Sequence, residues 1–225
     1  MKTNLTKILG GVVCGLALGL TTASASIITV PSGSISTLAG TVPDGSSVGI
    51  TSTINVSSQG SVLNSVILTL NMSGGNNGDL YAYLRYGGQT VALLNRPGLG
   101  LTGDTAGIGY VNSGYNNVIL QNGGSNGNIN SAGGSYSSSS QVTGTYYAAD
   151  GTTAFNAFNG SNPNGGWVLF ISDLSGGDSS NVSVLNSWSL TLDVVPEPVN
   201  VALGVFAALL LAVAGIRRWR NLRRA

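Results

Sequence analysis

Between residues 26 and 195 the 225-residue chain has no cysteine, no histidine, no lysine and no glutamate. Each absence removes a class of chemistry. Without cysteine there is no disulfide, no thiolate nucleophile and no thiolate-bound metal; the one cysteine, Cys14, lies in the amino-terminal segment. Without histidine no serine can be activated by an imidazole, and without lysine a Ser-Lys pair is excluded as well. Positive charge is nearly missing. Arg85 and Arg96 stand against Asp44, Asp79, Asp104, Asp150, Asp173, Asp178 and Asp193, two cations against seven anions, a net charge of −5. No basic patch can be assembled from two arginines, so the region is read as binding neither nucleic acid nor anionic lipid. Two aspartates could in principle hydrolyse a glycosidic bond, but nothing in their spacing sets up such a pair. The composition is that of a non-enzymatic protein.

What fills the region is glycine, serine, asparagine and threonine. Glycine costs a helix about 1 kcal/mol relative to alanine, and serine and asparagine compete for backbone hydrogen bonds. Short strands joined by tight turns are favoured instead. The apolar residues have the matching period. In SVLNSVILTL (61–70), Val62, Val66, Leu68 and Leu70 are expected on one face. Leu80, Ala82 and Leu84 alternate with Tyr81 and Tyr83. Further β runs cover 91–94, 167–171 and 184–194. Turn chemistry separates them, and Gly87-Gly88 between two runs reads as a hairpin. The expected fold is all-β, one antiparallel, jelly-roll-like β-sandwich over residues 26–195. A Gly/Ser/Asn-rich insertion around 98–150 interrupts it. Its centre, QNGGSNGNINSAGGSYSSSSQ (121–141), is nearly devoid of large apolar residues and is expected to be a long surface loop. Trp167 and Trp188 each head an alternating run and are expected to anchor the core.

The two ends read as targeting segments. Lys2 and Lys7 precede an apolar stretch from Ile8 to Leu20, and Ala23 and Ala25 supply the small residues of a signal-peptidase site. Residues 1–25 are therefore expected to be a signal peptide cleaved after Ala25. At the other end, Pro196-Glu197-Pro198 leads into an uncharged run of 18 residues, Val199 to Ile216. As a helix this run would be about 27 Å long, near the roughly 30 Å core of a bilayer. Arg217, Arg218, Arg220, Arg223 and Arg224 follow and would hold the cytoplasmic side, placing the rest of the chain across the inner membrane.

The order Pro-Glu-Pro, transmembrane helix 199–216 and arginine cluster over 196–225 resembles the PEP-CTERM sorting signal of Gram-negative bacteria. The resemblance implies an exosortase as partner, which would remove the tail from an inner-membrane-anchored precursor. It also implies a mature form at the cell surface or outside the cell, associated with exopolysaccharide or biofilm. An ordinary carboxy-terminal anchor satisfies the same physics without the sorting step.

The exported region has a resemblance of its own. NNGDLYAYLRYGGQTVALLNRPG (76–98) is similar to the G-D-L and R-P-G segments of P domains, the jelly-roll sandwiches that follow the catalytic domain of proprotein convertases and many bacterial subtilisin-like proteases. AFNGSNPNGGWVLFISDLSGGD (157–178) and LNSWSLTL (185–192) resemble the end of the same family, and Val42-Pro43-Asp44 fits its early turn. The Gly/Ser-rich insertion departs from the family pattern, as does the lack of a histidine before Gly78. The resemblance implies a sandwich without a protease of its own, an accessory module.

Three ligand readings remain open at this level. Gly98 to Gly103 matches G-x-G-x-x-G, but DTAGIGY follows rather than a helix, so the match reads as a loop. Asp173 and Asp178 bracket a Gly-rich turn; calcium is the one cofactor left open, with these two as ligands, against the plainer role of turn capping. Tyr81, Tyr83, Tyr110 and Tyr115 are candidates for stacking on an extracellular polysaccharide, against plain strand packing.

Overall fold

A computed structural model of the chain describes residues 26–33, 40–57, 61–177, 180–196 and 198–222. The signal peptide with Ala23 and Ala25, and Asp178, Glu197, Arg223 and Arg224, lie outside the described residues. Nine strands are described: β1 (Ser26–Pro31), β2 (Ser46–Val56), β3 (Ser61–Ser73), β4 (Leu80–Tyr86), β5 (Gln89–Asn95), β6 (Gly114–Leu120), β7 (Thr145–Tyr146), β8 (Gly165–Asp173) and β9 (Val184–Pro196). They form a five-stranded sheet, β1-β9-β3-β6-β7, and a four-stranded sheet, β2-β8-β4-β5. Every pairing is antiparallel except the short β6–β7 contact. The expected all-β sandwich is what the chain forms.

Period-two alternation explains which face of each sheet is buried. In β8, Trp167, Leu169 and Ile171 point inward while Val168 and Phe170 stay half-exposed. In β4, Leu80, Ala82, Leu84 and Tyr86 are buried and Tyr81 and Tyr83 are not. Leu68, Leu70, Met72, Trp188, Leu190 and Leu192 meet them from the other sheet. Both tryptophans are core residues, as expected. The Trp167 ring lies parallel to Tyr86 with centroids 3.9 Å apart, and its Nε1 donates to the Pro163 carbonyl at 3.0 Å. Trp188 Nε1 donates to Ser52 Oγ at 2.9 Å, joining the two sheets. The β4–β5 hairpin turns at Gly87 and Gly88, both at positive φ (58° and 83°), where a side chain would be strained.

Strand β3 corrects one detail. Its register against β9 shifts between Leu63 and Ser65, so Leu63 is buried and Val62 is only half-buried. A bulge flips the pleat by one residue, which strict alternation cannot anticipate.

The polar insertion is also more structured than its composition suggests. It contributes β6, β7 and a single helical turn, α1 (Ile129–Ala132), with Ile129 buried. Asparagine and glutamine side chains hold it. Asn128 caps α1 by accepting from Asn130 N at 2.8 Å, and Asn112 Nδ2 donates to the Ser140 carbonyl at 2.7 Å. Gln141 Nε2 donates to the Met72 carbonyl at 2.7 Å, tying the insertion to β3.

After β9 the chain enters α2 (Pro198–Leu222). This helix overturns the expected membrane anchor. Among the described residues no helix is long and apolar enough to cross a membrane. Arg217, Arg218 and Arg220 lie within the same helix, so its carboxy-terminal turns carry charge. The inner-membrane-anchored precursor is corrected accordingly.

Candidate functional site

Four stretches from the segments that carry the P-domain resemblance, 42–44, 78–80, 96–98 and 172–174, are far apart in sequence and meet at one end of the sandwich, while LNSWSLTL (185–192) lies along β9. Asp173 closes β8 and pairs in register with Ser46 of β2 and Leu80 of β4. The Asp79 carbonyl accepts from Leu174 N at 2.8 Å. Arg96, just after β5, donates its backbone N–H to the Leu80 carbonyl at 2.8 Å and its Nε to the Gly78 carbonyl at 3.3 Å. Its guanidinium stands 3.6 Å from the Asp79 carboxylate. Arg96 holds φ at 48°, an uncommon conformation for a residue with a side chain. The Val42-Pro43-Asp44 turn enters the same corner: Asp44 Oδ2 accepts from Gly177 N at 3.3 Å. A Cβ on Gly45 would come within 3.0 Å of Gly176 Cα, so two glycine turns touch backbone to backbone.

The aspartates here serve those turns. Asp173 is buried, and its Oδ1 accepts from Ser175 N at 3.1 Å. Burial pushes its carboxyl above the usual aspartate range, and the neighbouring Asp79 and Asp44 push it the same way. Asp173 was one expected calcium ligand, and its expected co-ligand Asp178 is outside the described residues. Among the described residues no group of three or more His, Cys, Asp or Glu side chains is arranged to hold a metal ion.

The G-x-G-x-x-G loop has its own anion. Asp104 Oδ2 accepts from Gly100 N at 2.8 Å, and Oδ1 accepts from Ile108 N at 3.1 Å and Gly109 N at 3.3 Å. A glycine loop that cradles phosphate needs such N–H groups free. Here an internal carboxylate occupies them, and they hold its pKa below the usual range.

The tyrosines divide in two. Tyr115 and Tyr110 are buried, which corrects their place among sugar-stacking candidates. Burial raises the pKa of both hydroxyls. Tyr81 and Tyr83 stand half-exposed on the outer face of the four-stranded sheet. Phe170 joins them: its ring stacks on Tyr83 with centroids 4.7 Å apart and planes 18° from parallel. Tyr81 meets Tyr83 edge-on at 6.2 Å. One register row across the four strands reads Thr51, Phe170, Tyr83 and Ala92. The next rows place Ser172, Tyr81 and Asn95 on one side and Thr53, Val168, Arg85 and Thr90 on the other. Phe170 lies over Gly49, where an added Cβ would come 2.8 Å from its Cζ. Phe170 was missed as a member of this aromatic cluster. The signal was present in the alternation of Trp167-Val168-Leu169-Phe170, which puts Phe170 on the face opposite Trp167.

No protein-family model matches the chain, and no curated protein matches it. Among solved structures it is similar to a serine protease of Aeromonas sobria, with 13% identity and a TM-score of 0.45 over 76% of this chain and 27% of that one. It is also similar to a chain in the complex of Aeromonas sobria serine protease with the chaperone ORF2, with 14% identity and a TM-score of 0.47 over 77% of this chain and 28% of that one. The chain thus spans little more than a quarter of either structure's length. TM-scores below 0.5 give these similarities no weight in assigning a function.

Proposed function

We propose that residues 26–195 form a P-domain-like module that acts by binding, as an accessory partner of a secreted subtilisin-like protease. The observation that carries this reading is the corner just described. The G-D-L, R-P-G and S-D-L segments that suggested the family are joined by backbone hydrogen bonds and the Asp79–Arg96 pair, and the V-P-D segment reaches the same corner through the Asp44 carboxylate, which accepts from Gly177 N. Motifs that coincide with a fold's closing contacts support kinship with that fold better than matching letters do. Their role is then architectural, and the module's work falls to its surface. The missing histidine, lysine and cysteine agree with a non-catalytic part. The test is protection in trans. A subtilisin-like protease stripped of its own P domain is heated with and without the full chain, and residual peptidase activity is followed. A longer half-life is expected, because a ligand of the folded state stabilises it by mass action. An unchanged half-life at micromolar protein refutes the accessory role.

For the tail we read Pro196-Glu197-Pro198 as the recognition element of a PEP-CTERM sorting segment that an exosortase removes. The supporting observation is that α2 leaves Leu203, Phe206, Leu209, Leu210 and Leu211 exposed, so its removal costs the sandwich no packing from these side chains. Intact mass of the protein from a host with an exosortase is the test. A mature chain still ending at Ala225 refutes the reading.

A further inference from the structure

We propose that the free edge of β1 is a self-association site, where two copies of the chain pair their β1 strands antiparallel about a two-fold axis, Ile27 of one copy opposite Thr29 of the other. This goes beyond the accessory reading and does not depend on it.

The hydrogen-bond phase of β1 fixes which of its backbone groups are spare. β1 pairs with β9 without a register shift from Ser26↔Val194 to Pro31↔Ser189. Just past the strand, Ser32 donates its N–H to the carbonyl of Trp188, its opposite residue in the same register, at 2.8 Å. Bonded and non-bonded pairs alternate along an antiparallel ladder. The backbone groups of Ser26, Ile28 and Val30 therefore turn to β9, and those of Ile27, Thr29 and Pro31 turn away. β1 is the outermost strand of its sheet, and among the described residues the Ile27 and Thr29 backbone groups meet no partner.

The other sheet edges are blunted. At β5, Ala92 N donates to Asp150 Oδ2 at 2.6 Å, Asn95 N donates to Asn130 Oδ1 at 3.0 Å, and the Leu93 carbonyl accepts from Ala149 N. At β7, the Thr145 carbonyl accepts from Asn126 N and Tyr147 N donates to the Gly127 carbonyl. β2 begins with a register shift between Ser46 and Ile50, and such a bulge twists an edge away from a neighbour. β1 has no register shift and no charged residue, and a lysine, the usual guard of an edge, is absent from the whole region 26–195.

The occupant follows from the edge itself. With Ile27 opposite Thr29 of the second copy and Ile28 on the axis, the outward N–H and C=O of Ile27 and Thr29 are satisfied in both copies. Pro31, the third outward residue, has no N–H. A longer foreign strand would leave a carbonyl without a donor there, whereas self-pairing over 26–30 stops short of it. The side chains agree. Ile28, packed against the core, meets Ile28 of the second copy in a non-bonded pair, at about 4.5 Å between Cα atoms. On the outer face Ile27, 73% exposed, lies beside Thr29. β-branched residues suit such cross-strand pairs. The net charge of −5 does not oppose the pairing. In the register rows of β1 the one carboxylate is Asp193, on β9 beside Ile27. The two copies of Asp193 would stand at least three strand spacings apart, about 14 Å, beyond the roughly 8 Å Debye length at physiological salt. The paired length is short, so the dimer is weak and concentration-dependent.

Sedimentation equilibrium of the full chain, with NMR amide exchange at matched concentrations, tests the proposal. A monomer–dimer equilibrium is expected in the micromolar range. The Ile27 and Thr29 amides should exchange about tenfold more slowly in the dimer-rich sample, with Ile28 and Val30 protected at every concentration. Thr29→Pro removes only an outward donor, since this N–H does not serve β9, and should weaken dimerisation about tenfold. Ile27→Lys changes an exposed side chain and should do the same with an unchanged melting temperature. The exposed apolar side chains of α2 offer another route to association, which neither variant touches. Three results would overturn the proposal: a monomer at every concentration, association that both variants leave unchanged, or Ile27 and Thr29 amides equally protected at all concentrations.

Discussion

Replacing Arg96 by methionine isolates the Asp79–Arg96 ion pair at the motif corner. The substitution keeps most of the stem and keeps the backbone N–H that bonds to the Leu80 carbonyl. It removes the Nε donor to Gly78 and the guanidinium 3.6 Å from Asp79. Asp79 is then a buried carboxylate without its cation. Removing one partner of a fully buried pair costs about 3–5 kcal/mol, whereas fully exposed pairs contribute about 0–1 kcal/mol. The Arg96 side chain is 27% exposed and that of Asp79 only 6%, so the pair lies between these limits. With the separation on the long side, a loss of about 2 kcal/mol is expected for Arg96→Met. Asp79→Asn should partly rescue it, because the uncompensated charge disappears while the side-chain oxygen remains. The double mutant should therefore be more stable than the sum of the singles by about 1 kcal/mol or more. Urea denaturation followed by tryptophan fluorescence measures all four proteins. A loss below 0.5 kcal/mol for Arg96→Met, or strict additivity in the cycle, refutes the view that this pair fastens the corner.

Trp167→Ala should cost about 3–5 kcal/mol in the same assay, since the ring is fully buried and stacked on Tyr86; a loss under 1 kcal/mol would contradict its core role. Asp104→Ala should release the Gly100, Ile108 and Gly109 amides, read as faster hydrogen exchange over 100–109 with the sandwich amides unchanged. Because the folded pKa of Asp104 is lowered, its contribution is full above the ordinary aspartate pKa and lost as pH falls through the lower, folded value; retained protection in Asp104→Ala refutes the account. Asp173 has the opposite sign. Its folded pKa is raised, so stability falls as pH rises from the ordinary aspartate value through the raised one, and Asp173→Asn should flatten that slope and melt no lower than wild type at pH 7; a steeper slope or a large fall in Tm refutes it.

Where alternation and turn chemistry act alone, the fold was legible in the sequence. Trp167, Leu169 and Ile171 declare their inward face by period two, and Gly87-Gly88 declares its hairpin by the positive φ it needs. Two kinds of information were hidden. Val62 and Leu63 exchange places because of a bulge, and a bulge is decided by the partner strand β9. The insertion around 121–141 lacks apolar residues, so a burial argument assigns it no structure. Its order comes from Asn112, Asn128 and Gln141 bonding to backbone groups distant in sequence. Such bonds leave no period, and composition reads them as loop polarity.

The functional reading turns on the same distinction between groups that face the chain and groups that face water. Sequence motifs drew attention to the aspartates and the glycine loop, because these residues are grouped in recognisable patterns. In the fold those groups are consumed internally: Asp104 by its own loop, Asp79 by Arg96, and Asp173 by the turn after β8. Polar groups already satisfied by the protein contribute little to an external ligand, because binding would first have to break the internal bond. The residues with capacity to spare form no motif. They are Ile27 and Thr29, whose backbone groups turn away from β9 at the edge of the sheet. Strand order decides which strand is outermost, which is why a linear pattern search passes over this edge and a reading of unpaired groups finds it.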